Sequence, residues 1–201
     1  VKLNPAGSFQ WEHLLGTGGT EYCNRMDVNS TTLALASAWW GTSNFGGVNR
    51  ISPSSGTSQG ACVVSLTAAT GAYNWDWIVP SGLSSVNRGV AFDGSGNIFT
   101  IGTAGSGTNF GGGARTSLGS ALLYIVMLNP AGAWQWDHTF APPSIYSLSD
   151  CAVDSAGDVV ASGYFRDTME CEPGPGVTNL VSNGSNPDPF VIKVDGPTGL
   201  W

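Results

Sequence analysis

Three adjacent pairs invite an acid–base reading: Glu12-His13, Asp76-Trp77 and Asp137-His138. A carboxylate and an imidazole can move protons on a substrate when both face one cleft. Each pair, however, follows the same kind of alternating aromatic stretch: Phe9-Gln10-Trp11, Tyr73-Asn74-Trp75 and Trp134-Gln135-Trp136. The middle copy carries Trp where the others carry His, and adjacent residues of a strand point to opposite faces. A position that exchanges His for Trp reads as packing on an outer strand. No Gly-x-Ser-x-Gly lies in the strand–helix context of a serine nucleophile. The expectation is therefore a protein that is not an enzyme and needs no cofactor.

Other groups carry side chains of the kinds that bind ligands. Asp93-Gly94-Ser95-Gly96-Asn97 and Asp154-Ser155-Ala156-Gly157-Asp158 share residues with calcium loops but lack the closing bidentate acid, and tight turns use the same residues. Asp167, Glu170 and Glu172 form an acidic cluster that reads as a solvated face rather than a cation site. Cys23, Cys62, Cys151 and Cys171 contain no Cys-x-x-Cys, which argues against zinc. An even count in a secreted chain favours disulfides within repeats, Cys23 with Cys62 and Cys151 with Cys171, with free buried thiols as the alternative. Trp39-Trp40 is the candidate binding pair: two rings in a Gly-rich setting can stack on a glycan or anchor a protein, or simply pack between sheets.

The elements that carry these residues repeat. Val126-Met127-Leu128-Asn129-Pro130-Ala131-Gly132-Ala133-Trp134-Gln135-Trp136 reads as a hairpin, and the chain opens on a near copy at Val1–Trp11. Looser copies run from Val64 to Trp77 and from Ile192 to Trp201, with anchor tryptophans at Trp11, Trp75, Trp136 and Trp201, spaced by 61–65 residues. A second hairpin lies between each pair of these, clearest at Val90–Gly102. Two hairpins per repeat give four strands, and no stretch has the 3.6-residue period of a helix.

Composition agrees. The 201 residues include 29 Gly and are 41% hydrophobic, enough for a packed core, and no window approaches a membrane-spanning helix. A net charge of −7 argues against a nucleic-acid partner. The scarcity of Lys suits a secreted, extracellular protein. A chain that starts at Val reads as a mature form or a piece of something longer.

The stretches Val153–Phe165, Glu172–Gly176, Asn179–Gly184 and Phe190–Asp195 together resemble the bacterial β-propeller repeats known as SBBP repeats. The resemblance implies tandem propeller blades in large secreted or surface proteins, and no catalytic residues. The expected fold is all-β: four-stranded antiparallel blades in about three and a half repeats. Residues 1–15 form a spare outer hairpin, and 16–79, 80–140 and 141–201 form three blades. Three and a half blades do not close a ring. The chain is thus a segment of a longer tandem array or a homo-oligomer whose open edges pair with neighbours. Val1, Leu3, Phe9, Trp11, Val191, Val194 and Trp201 are the candidate assembly residues. The function expected first is structural, an extracellular fibre or surface array; the alternative is a glycan- or protein-binding, lectin-like module using its long loops.

Overall fold

Turn chemistry sets the hairpins. Asn129 Oδ1 accepts the amides of Ala131 and Ala133, both at 3.0 Å. Asp93 Oδ1 accepts those of Ser95 and Asn97, both at 2.8 Å. Each turn ends on a glycine in the left-handed region, Gly132 at φ +80° and Gly96 at φ +83°, where a side chain would be strained. The calcium-like carboxylates are thus spent on turn amides. In the second such turn, Asp154 and Asp158 also hold Lys193 at 2.7 and 2.9 Å.

The structure is a computed structural model and describes residues 1–116, 121–140, 146–171 and 179–199. It is all-β, and the described residues contain no α-helix, in line with the absence of helical periodicity. A short hairpin comes first, β1 (Lys2–Leu3) with β2 (Phe9–Trp11). The first sheet has the order β3 (Thr20–Val28), β4 (Thr32–Trp40), β7 (Gly60–Thr67), β8 (Tyr73–Ile78). The second repeats it with β9 (Val86–Phe92), β10 (Ile98–Gly105), β13 (Ala121–Leu128) and β14 (Trp134–Phe140). The third has β15 (Tyr146–Val153), β16 (Val159–Phe165) and β19 (Asp188–Val194). All pairings are antiparallel, and none of the sheets closes on itself.

The long Gly/Ser-rich connections do not simply wander. Each folds into a two-stranded ribbon: β5 (Thr42–Asn44) with β6 (Asn49–Ile51), β11 (Thr108–Asn109) with β12 (Ala114–Arg115), and β17 (Thr168–Glu170) with β18 (Asn179–Val181). Glu172 of the acidic cluster lies outside the described residues.

The sheets bury each other's faces. Ala34, Ala36, Ala61 and Val63 of the first sheet pack on Ile98, Leu122, Tyr124, Val126 and Leu128 of the second. Phe99, Ile101, Leu123, Ile125 and Met127 of the second pack on Leu148, Val159, Ala161, Ile192 and Val194 of the third. Small residues of the first sheet meet large ones of the second at the first junction, whereas large residues meet a mixed aliphatic face at the second. The upstream face of a sheet looks toward the preceding repeat, and its downstream face toward the next.

Two expectations are corrected by register. Both pairs of cysteines are free thiols. Cys23 and Cys62 each pair with Ser37, on opposite sides of β4. That puts them two strand spacings apart, about 9–10 Å, beyond the roughly 7 Å between Cα atoms that a disulfide spans. The Cys151 sulfur looks toward Gly89 of the second sheet, whereas Cys171 Sγ donates to the Met169 carbonyl at 3.6 Å. Val194 is fully buried against the second sheet and is not an assembly residue, whereas Val191, three positions earlier on β19 and on its other face, is 69% exposed.

Candidate functional site: the junctions between repeats

The chemistry of the outer hairpins converges on one recurring contact. Trp75 Nε1 donates to the Pro130 carbonyl in the next outer turn, at 3.1 Å. Trp136 Nε1 donates to the Gly196 carbonyl at 2.9 Å, and Trp11 Nε1 to the Ala68 carbonyl at 3.3 Å. Beneath each ring lies the glycine of the receiving turn: Gly132 under Trp75, Gly199 under Trp136, Gly71 under Trp11. A Cβ on any of them would sit 2.5–2.7 Å from ring carbons. Glycine is required there twice, for the positive φ and for the indole. The same clamp therefore ties each outer hairpin to the next, three times in succession.

Trp201 stands at a different sequence place from the other anchor tryptophans. The Gly199 amide donates to the Asp195 carbonyl at 2.8 Å, as the Gly71 amide does to Thr67, so the two turns have one length. Counting from that turn gives Trp201 the sequence place of Tyr73 rather than Trp75; the residue itself lies outside the described residues.

The acid–base pairs separate as strand alternation requires. Asp76 turns into its own repeat, where Arg50 grips it at 2.7 and 3.2 Å and the Tyr73 hydroxyl donates to it. Asp137 is held the same way by Arg115 at 2.6 and 3.3 Å and by Trp134 Nε1 at 3.1 Å. Both carboxylates are buried. Burial and the bond to Asp76 push the Tyr73 phenol up to about 12. The neighbours of these acids point the other way, onto the ribbon of the next repeat. Trp77 stacks on Phe110, with ring centroids 6.4 Å apart. His138 lies against Phe140 and bonds to the backbone of Cys171.

These arginines are the residues sequence reasoning missed, and a signal existed. Phe45-Gly46-Gly47-Val48-Asn49-Arg50 and Phe110-Gly111-Gly112-Gly113-Ala114-Arg115 share one spacing. The phenylalanines are buried, and the glycine pairs lie under Tyr73 and Trp134, where a side chain would collide with the ring.

No family model and no curated protein matches this chain. The junctions therefore stand on their own geometry.

The Trp39-Trp40 pair does not form one platform. Trp39 is fully buried, edge-on to Phe45 at 5.4 Å and laid over Gly60, so for this ring the packing alternative holds. Trp40 is partly buried against Tyr22 at 5.8 Å. The thiols are not activated either. Burial raises Cys62 and, with Asp150 and Asp27 near it, pushes Cys151 up to about 12.

A polar pocket of about 320 Å3 lies where the first strands of the three sheets converge. Each of these strands carries a β-bulge at the same register, and the bulged residues Asn24, Arg88 and Ser149 all line the pocket. Arg25, Ser147, Leu148 and Tyr164 complete it, with Arg25 3.6 Å from Asp150. Arg88 has no carboxylate partner among the described residues.

Of the other assembly candidates, Val1 (81%), Leu3 (55%) and Phe9 (61%) are exposed. They belong to the β1–β2 hairpin, and Val1 and Leu3 border a groove of about 540 Å3 against the first sheet.

Proposed function

We propose that this chain is a non-enzymatic structural module, a propeller-type array of SBBP-like repeats that works outside the cell in a fibre or surface layer. The observation that carries the reading is the threefold clamp of a tryptophan on the glycine turn of the following repeat. Each junction is heterologous, so the same contact can be repeated indefinitely in one direction. Four-stranded antiparallel sheets that bury each other's faces support the propeller-type arrangement. Three of the side chains that looked catalytic have structural partners: Asp76 and Asp137 are held by arginines of their own repeats, and the imidazole of His138 bonds to the next ribbon.

Native material isolated from its source and examined by light scattering and negative-stain microscopy is expected to be multi-repeat particles well above the 20.7 kDa of this chain. Discrete particles of that mass, with no larger form, overturn the array reading.

The binding alternative gains support from the bulge-lined pocket, not from Trp39. Its two guanidinium groups and its hydroxyls suit a polar ligand such as an acidic glycan. On a glycan array, a signal lost in the Arg88→Ala variant makes binding the primary function. Absence of any signal, or a signal indifferent to that change, removes it.

A further inference from the structure

The upstream face of the first sheet is unfinished. Register makes Met26 equivalent to Val90 of the second sheet and Cys151 of the third, since all three pair with matching positions on the next strand. Val90 is 5% exposed beneath the first sheet, whereas Met26 is 67% exposed. Val28, the counterpart of Phe92, is 57% exposed. Leu33, Leu35 and Leu66 continue the apolar surface into the groove under the β1–β2 hairpin. That hairpin covers only the outer part of the face. The Asn4–Gly7 turn of the same hairpin is also uncapped. Asn4 Oδ1 accepts the amides of Ala6 and Ser8, the scheme used by Asn129, and Gly7 adopts φ +78°. Yet nothing lies within 4 Å of the Cβ site on Gly7, where Gly71, Gly132 and Gly199 all carry an indole.

We infer that this face is a docking surface for a further repeat of the same kind, presenting a downstream face of small apolar residues, and not for a second copy of this chain. The inference rests on the array reading above and adds which face is open and what fits it. The partner's chemistry follows from the two completed junctions. The first sheet's upstream face is leucine-rich at the places held by Ile98, Leu128 and Thr100 in the second sheet. That second-sheet face receives Ala34, Ala36, Ala61 and Val63. A face built like that one has the volume to fit. The free downstream face of this chain does not: it carries Ser162, Tyr164, Pro189, Val191 and Lys193 on β16 and β19. Docking it would strip water from Lys193 and its partners Asp154 and Asp158. Polar outer faces belong to the end of a repeat stack and apolar ones to its interior.

Met26 reports on the face, because Met127 and Met169 are buried. In the chain as it stands, peroxide should oxidise Met26 readily, at a rate independent of protein concentration. Two extended chains test the inference. In one, a copy of residues 16–77 carrying Met26→Leu replaces residues 1–13; in the other, a copy of residues 80–138 does. Peptide mass spectrometry should find Met26 protected at least tenfold in the first, and less in the second, whose face is bulky. Unchanged oxidation in a folded first chain overturns the inference, as does failure of both extended chains to fold while the parent folds. Concentration-dependent protection in the parent, with doubling of its mass, makes a second copy the occupant and overturns it too. None of these results alters the clamps within the chain, so the array reading stands or falls separately on the mass of native material.

Discussion

Replacing Asn87 by Ala should cost about 4 kcal/mol and lower the melting temperature by about 10 °C. Asn87 is fully buried at the junction of the first and second sheets. Its Nδ2 donates to the Cys62 carbonyl of the first sheet at 2.7 Å. Its Oδ1 accepts the Thr100 hydroxyl at 3.2 Å and the Tyr124 hydroxyl. Its own carbonyl accepts Asn24 Nδ2, again from the first sheet, at 2.7 Å. Truncation leaves the Cys62 carbonyl and the Tyr124 hydroxyl buried without these partners, each worth about 1–3 kcal/mol, and opens a small cavity. Tyr124→Phe removes a single bond of the network and should cost about 1 kcal/mol. The double variant should cost less than the sum, since the second change loses a bond already broken. Urea melts of the four proteins decide it. The wild type should unfold in one transition, and the Asn87→Ala protein should shed its first sheet earlier, as stacked repeats do when one interface weakens. A loss under 1 kcal/mol, or full additivity, would mean that this network does not join the sheets.

The same residue marks how far the sequence could be read. The hairpins and the four-strand repeat follow from alternation and turn residues, because those signals are local. The junctions are not local. Asn87, Cys23 and Leu148 occupy one register position, yet of the three only the asparagine side chain hydrogen-bonds across a sheet boundary. Its role depends on a partner 25 positions away and on the hydroxyl of Tyr124 beside it. The Arg50–Asp76 and Arg115–Asp137 grips were legible in principle, from the shared Phe-Gly-Gly-x-x-Arg spacing. Their arginines lie in Gly-rich connections that carry no alternating apolar pattern, so the sequence there reads as long loops. Trp39 shows how fine the margin is. Aligned with Thr103 it lies on one face of its strand; its true counterpart is Ala104, on the other. A slip of one residue turns a core tryptophan into an apparent binding platform. The disulfide expectation failed for a related reason. Counting cysteines per repeat ignores that β4 runs between Cys23 and Cys62, so both lie within one repeat but out of reach.

Acid should loosen the second-to-third junction first, through His138. The imidazole is 3% exposed, and burial lowers its pKa from 6.5 to about 4, against smaller opposing effects of the Cys171 backbone and Asp137. In the unfolded chain it titrates near the ordinary value of about 6.5. Above that pH neither state is protonated and the junction keeps its full strength. Between about 6.5 and about 4 the unfolded state binds a proton that the folded state refuses, so stability falls as pH falls. A shift of this size amounts to about 3 kcal/mol across the window, after which both states carry the proton and this contribution stops changing. His138→Phe isolates it, because the equivalent position in the first repeat is already aromatic, Trp77 stacked on Phe110. At pH 7.5 the variant should be about 1 kcal/mol weaker for loss of the bond to Cys171. By pH 4.5 the order should reverse, with the variant the more stable protein. Carboxylates titrate alike in both, so the difference between the two urea midpoints, taken at each pH, reports His138 alone. Parallel pH profiles would mean that His138 is protonated in the folded state, with solvent reaching the second-to-third junction.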